Sequence, residues 1–103
     1  MAKFELVIAL VNTGFSEVVM EAAKEAGARG GTVVHARGTA GKDISKKYGI
    51  VITPDKEMVM IIVSHKITDN VIQEIYKRAG LATDGQGIVF SLPVDNIAGL
   101  KLE

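Results

Sequence analysis

Two glycine-rich segments, Arg37-Gly38-Thr39-Ala40-Gly41-Lys42 and Asp84-Gly85-Gln86-Gly87, are the parts of this chain best suited to holding a ligand. Glycine has no side chain to keep backbone N–H groups away from an anion, so both segments read as candidate phosphate or carboxylate cradles. The other reading is that these glycines only turn the chain. Neither segment is a nucleotide fingerprint: no Gly-Lys-Ser/Thr opens a helix, and no Gly-x-Gly-x-x-Gly follows the first predicted strand.

Groups for catalysis are scarce. Ser16, Ser45, Ser64 and Ser91 all lack the context of a nucleophile elbow. His35 lies in an otherwise apolar segment and His65 stands beside Lys66, so each reads as a pH-sensitive contact or as an ordinary structural histidine. The absence of cysteine excludes disulfides, thiolate metal sites and a cysteine nucleophile. Zinc would have to rely on these two separated histidines and on carboxylates. The run Lys42-Asp43-Ile44-Ser45-Lys46-Lys47 reads as a solvated loop face first and a docking surface second, and Met58 and Met60 read as core packing.

The elements that must position these groups are four strands and two helices. Phe4 to Val11 is rich in aliphatic and β-branched residues and predicts a buried strand that ends at Asn12-Thr13-Gly14. Phe15, Val18, Val19, Ala22, Ala23 and Ala26 then fall at helical spacing, with Ser16 as the predicted cap and Gly27 as the stop. Thr32 to Ala36 predicts a second strand, Arg37 to Asp55 a long polar loop, and Glu57 to Ser64 a third strand. Thr68 and Asp69 are placed to cap a helix over Asn70 to Ala79, and Ile88 to Leu92 predicts the last strand before Pro93. The order β-α-β-β-α-β predicts an α+β, ferredoxin-like fold: a four-stranded antiparallel sheet with two helices on one face.

With 103 residues the chain is one domain, 48% hydrophobic and 23% charged, as a folded globular protein is. Twelve basic residues balance twelve acidic ones, so nucleic acid is not expected as a partner. Glu5 interrupts any N-terminal signal core, and the longest apolar run, Met58 to Val63, is far short of the roughly 20 residues that span a bilayer. The expectation is a soluble, cytoplasmic protein. Leu6 to Val11 and Met58 to Val63 carry aliphatics at nearly every position, so both faces of the sheet want burial. Two helices cover only one face. At roughly 25 cal/mol per Å² the other is expected to pack against further subunits.

With these elements in place, the chain resembles the PII family of nitrogen-regulatory signal-transduction proteins, as a short PII-like member, over nearly its whole length. Gly31-Thr32-Val33 followed by Arg37-Gly38 is similar to the family's second strand entering its long T-loop, and Tyr48 with Pro54 is similar to the loop's return. Gly85-Gln86-Gly87 resembles the Gly-Asp-Gly of the B-loop, and Val94 to Leu100 the C-terminal segment. The resemblance implies a homotrimer whose sheets line a central barrel, with an adenine nucleotide (ATP, ADP or AMP) held between subunits. It places the ligand contacts at Thr32, Arg37, Gly38, Thr39, Gly41, Lys42, Gly85, Gln86, Gly87 and Lys101. It also implies a regulator that catalyses nothing and acts through a T-loop-like segment, 37–55, on a target protein such as a transporter or an enzyme.

The sequence departs from the family pattern where charge is concerned. Ile88 stands where a lysine follows the B-loop glycines, and Gly99 and Lys101 stand near two expected basic positions. Each lost charge-assisted contact is worth roughly 1.5–3 kcal/mol. Losing two weakens a micromolar site, worth about 8 kcal/mol, by about two to four decades. Lys42 replaces the loop glutamine that helps bind a metal and 2-oxoglutarate, and Tyr48 lacks the acidic-glycine context of the modified tyrosine. Either Arg37, Lys42, Lys46 or Lys47 supplies replacement charge from the loop, or the effector carries less charge than a triphosphate: a mono- or diphosphate, a cyclic nucleotide or bicarbonate. Gly87 to Asp95 also resembles PII-like receptors of cyclic di-nucleotides. Two further readings share the fold. One is a trimeric divalent-metal-binding protein of the copper-tolerance type using His35 and His65; the other is an acylphosphatase using Arg29 or Arg37 with Asn12.

Overall fold

The structure, a computed structural model, describes residues 3–38, 55–81 and 87–100. Strand β1 (Phe4–Asn12) leads into helix α1 (Ser16–Glu25), then β2 (Thr32–Arg37), β3 (Asp55–Ser64), a single 3-10 turn (His65–Ile67), helix α2 (Thr68–Arg78) and β4 (Gly87–Val94). The strands form one antiparallel sheet in the order β2-β3-β1-β4, as the ferredoxin-like reading requires. Pro93 is accommodated because β4 is an edge strand, where a missing N–H costs no ladder bond on the open side.

The register divides the sheet into two apolar faces. Val7, Ala9 and Val11 of β1 and Val59, Ile61 and Val63 of β3 point to the helices and are at most 1% exposed. They pack with Val19, Ala22 and Ala23 of α1, Val71 and Ile75 of α2, and Ala79. Each Val or Ile buried this completely contributes about 1.5–3 kcal/mol. The alternate residues form the opposite face in three rows: Leu92, Leu6, Ile62; then Phe90, Ile8, Met60, Thr32; then Ile88, Leu10, Met58, Val34. No described helix covers these rows, and Ile88, Phe90 and Leu92 are 56%, 36% and 46% exposed. Met58 and Met60 therefore sit on the open face and not in the core, a correction to the packing read from sequence.

Both predicted helix caps are also revised. Ser16 is the first helical residue of α1, and the end is capped from across the sheet by Glu57, whose Oε1 accepts the N–H groups of Gly14 and Ser16. Thr68 likewise begins α2 after the 3-10 turn. Its hydroxyl donates to Glu5 Oε2 and to the Ser64 carbonyl, leaving no cap for the helix N–H groups.

Candidate functional site

The site begins with an offset between strands. The β2–β3 ladder ends at the pair Thr32 and Met60, so Ile61 to Ser64 of β3 run on beyond β2, flanked by the α1–β2 connection. That connection is drawn in tightly at Gly31: a Cβ there would lie 2.7 Å from the Met60 carbonyl oxygen and 2.8 Å from Ile61 Cγ1. The result is a cleft of about 630 Å³ on the open face, lined by Leu6, Met60 and Ile62 from the sheet, Arg29 to Thr32 from the connection, and Leu100 from the C-terminal segment. This is the size of a whole small-molecule site, with mostly apolar walls and a few polar groups to orient the ligand. Thr32 supplies a hydroxyl and Arg29 a positive charge.

Arg37 and Gly38 lie at the end of β2 farther from the helix connection, where Arg37 pairs with Asp55; residues 39–54 of the expected loop, Tyr48 and Pro54 among them, lie outside the described residues. Beside it Glu57, 8% exposed, faces His35 across the β2–β3 ladder. The Glu57 carboxyl is held below the usual glutamate value, first by the Gly14 N–H and then by the hydroxyl and N–H of Ser16 and the His35 charge, against the opposing effect of burial. Lys56 Nζ donates to Asn12 Oδ1 in the next row. The root of the loop is thus tied to β1 and to the start of α1.

Gly87 opens β4 opposite Val11. Its φ is +139°, and a Cβ would stand 2.1 Å from the Leu10 carbonyl oxygen, so only glycine fits. It lies toward the same end of the sheet as Gly38 but on the other edge strand, about three inter-strand spacings or ~14 Å across the sheet and, being in the row of His35, three residues short of Gly38 along it. Within one chain, Gly38 and Gly87 are therefore held apart on opposite edges of the sheet. Of the residues expected to bind ligand, Thr32 lines the cleft and Arg37, Gly38 and Gly87 mark the two edges; Thr39, Gly41, Lys42, Gly85, Gln86 and Lys101 fall outside the described residues.

The histidines do not converge either. His35 stands opposite Glu57, and His65 follows Ser64, about 23 Å farther along β3. His65 Nδ1 is 2.8 Å from Glu5 Oε2, and the Thr68 hydroxyl donates to the same oxygen at 2.6 Å. These two contacts, Thr68 first, hold the Glu5 carboxyl below its usual value. Among the described residues no group of three or more histidines and carboxylates is arranged to hold a metal ion. Arg29 lies beside Ile62 and Asn12 at the opposite end of the sheet, so these two do not form an acyl-phosphate site.

Leu6, Gly30, Gly31, Met60, Ile62 and Leu100 were not read from sequence as site residues, and Arg29 was read only as an acyl-phosphate anion holder. The Gly30-Gly31 pair was the available signal, since two adjacent glycines after a helix mark a close backbone approach as well as a turn.

The family model described as "Nitrogen regulatory protein P-II" matches residues 4–103. Among solved structures, PII of Arabidopsis thaliana bound to citrate is similar with a TM-score of 0.70 and 31% sequence identity, over 90% of this chain and 78% of that one. No curated protein matches the chain significantly. With the ferredoxin-like sheet, the loop root at Arg37 and Asp55 and a match over nearly every residue, the chain belongs to the PII family of nitrogen regulatory proteins, which are signalling regulators.

Proposed function

We propose that this protein is a trimeric, cytoplasmic PII-type regulator that binds an adenine nucleotide between subunits and controls a target protein through the 37–55 loop, without catalysing a reaction. The observation that carries the reading is the open sheet face, whose three apolar rows end at the 630 Å³ cleft. Three such faces turned inward remove the rows from water, and the burial drives association. That Gly38 and Gly87 stand on opposite edges of one sheet supports a ligand that meets the two glycine segments from different chains.

The cleft fits a base between Leu6, Ile62 and Met60, with Thr32 as a polar contact. Ligand contacts with the glycine segments then order the 37–55 segment that docks on the target. The sequence provides fewer cations for the phosphates than a triphosphate needs, so the favoured effector is ADP or AMP. Among the described residues no helix is long and apolar enough to cross a membrane, consistent with a partner that binds a membrane protein from solution.

Calorimetry against ATP, ADP and AMP, with and without magnesium, tests the nucleotide assignment. Saturable binding is expected, weaker for ATP than in a site with the full set of basic residues. An absence of heat with all three at high protein concentration would remove it.

A further inference from the structure

A second cavity of about 170 Å³ shares Arg29 and Ile62 with the cleft and is otherwise lined by residues that include Ala28, Ser64, Lys66 and Ile67. Sites for whole small molecules run from about 300 to 1,000 Å³, so this space suits a single functional group. Its polar side chains point to the sign of that group: a guanidinium, an ammonium and a hydroxyl, with no carboxylate among them. The Ser64 Oγ already accepts the Lys66 N–H at 3.3 Å, which leaves its own hydrogen to donate.

Neither Arg29 nor Lys66 has an ion-pair partner among the described residues, whereas Arg78 is shared by Glu25 and Glu21 and His65 is held by Glu5. Two cations lining one small cavity repel each other until an anion lies between them. Their supports are fixed. Lys66 sits in the 3-10 turn, which is anchored on one side by the His65 N–H to the Lys3 carbonyl at 2.9 Å and on the other by Thr68 to Glu5. Arg29 follows the closed end of α1, where the Ala28 N–H donates to the Ala23 carbonyl at 2.9 Å. A site on such supports needs little ordering before it binds.

We propose that Arg29, Lys66 and Ser64 form an oxyanion subsite that takes one phosphate or carboxylate group, either as a free small anion or as the anionic arm of the molecule in the adjoining cleft. The second source rests on the nucleotide reading above; the first does not.

The test is an NMR titration of the full chain with inorganic phosphate at constant ionic strength. Saturable shifts are expected at the amides of Gly27 to Gly31 and Ser64 to Ile67, with affinity about tenfold or more weaker in Arg29→Gln and in Lys66→Gln. Both side chains are exposed, so the variants keep the fold, which circular dichroism checks. Adenosine and AMP separate the sources. A preference for AMP of about tenfold that disappears in the double variant identifies the anion as the ligand's own arm, and phosphate that binds alongside AMP without competition identifies a free anion. Phosphate binding with no response to adenosine or AMP supports the subsite and removes the nucleotide reading instead. No saturable phosphate binding, together with an AMP affinity unchanged in the double variant, overturns the proposal.

Discussion

Glu57→Gln removes one negative charge from the root of the long loop and changes little else. The carboxylate accepts the N–H of Gly14 at 2.9 Å and of Ser16 at 3.4 Å, at a residue only 8% exposed, so water does not readily replace these bonds. Glutamine keeps an acceptor oxygen and loses the charge that complements the N-terminal end of α1, an interaction worth about 0.3–2 kcal/mol depending on burial. The expected loss is about 1 kcal/mol. Glu57→Ala also leaves the two N–H groups without their acceptor, and its expected cost is about 2–3 kcal/mol. Urea unfolding at one fixed protein concentration reads both values, since association adds to apparent stability. The pH dependence is the sharper check. Because the folded pKa of Glu57 is lowered, its stabilisation is fully present above the unfolded value of about 4.3 and is lost as pH falls through the folded value. The wild-type advantage over Glu57→Gln therefore holds at neutral pH and shrinks below about pH 4. A variant as stable as wild type at pH 7, or an advantage that persists unchanged in acid, would refute the assignment of Glu57 as the cap of α1.

Glu5→Ala removes the acceptor shared by Thr68 and His65 and should cost about 2 kcal/mol in the same assay, because Thr68 is buried. Since the Glu5 pKa is also lowered, that advantage too is present above about pH 4.3 and fades as acid protonates the folded carboxyl. Gly87→Ala should cost about 3 kcal/mol or prevent β4 from docking, because its Cβ would overlap the Leu10 carbonyl, and a thermal melt reads this directly. In the same melts Gly31→Ala should cost about 1–3 kcal/mol through its contact with the Met60 carbonyl, while Gly30→Ala, with nothing within 4 Å of its Cβ, should stay within about 0.5 kcal/mol of wild type.

The element order was legible in the chain because each strand and helix carries its own signal. Phe4 to Asn12 and Asp55 to Ser64 are aliphatic, α1 has helical spacing of Val19, Ala22 and Ala23, and Gly27 and Gly80 follow the helices. The unbroken aliphatic runs also pointed to a sheet with two apolar faces. They could not say which residues face which way, since alternation is invisible when both faces are apolar, and this is why Met58 and Met60 were assigned to the core. The caps were missed for a different reason. Glu57 lies 41 residues from Ser16 and Glu5 lies 63 from Thr68, and local sequence carries no trace of such contacts. In the site, Gly38 and Gly87 of the glycine segments mark the loop-root end of the sheet, whereas the cleft lies at the other end and its walls come from three separate strands, the α1–β2 connection and the C-terminal segment, joined only by the fold.

Sedimentation equilibrium of wild type beside Ile8→Lys tests the central claim most directly. Ile8 is in the middle of the open face, between Phe90 and Met60, and lies outside the helix-side core. Wild type should sediment at three times the mass of the 11.0 kDa chain, and Ile8→Lys as a folded single chain that no longer binds nucleotide. A single-chain wild type, or a trimer indifferent to a lysine at that position, would contradict a sensor built by closing three open faces around a shared cleft.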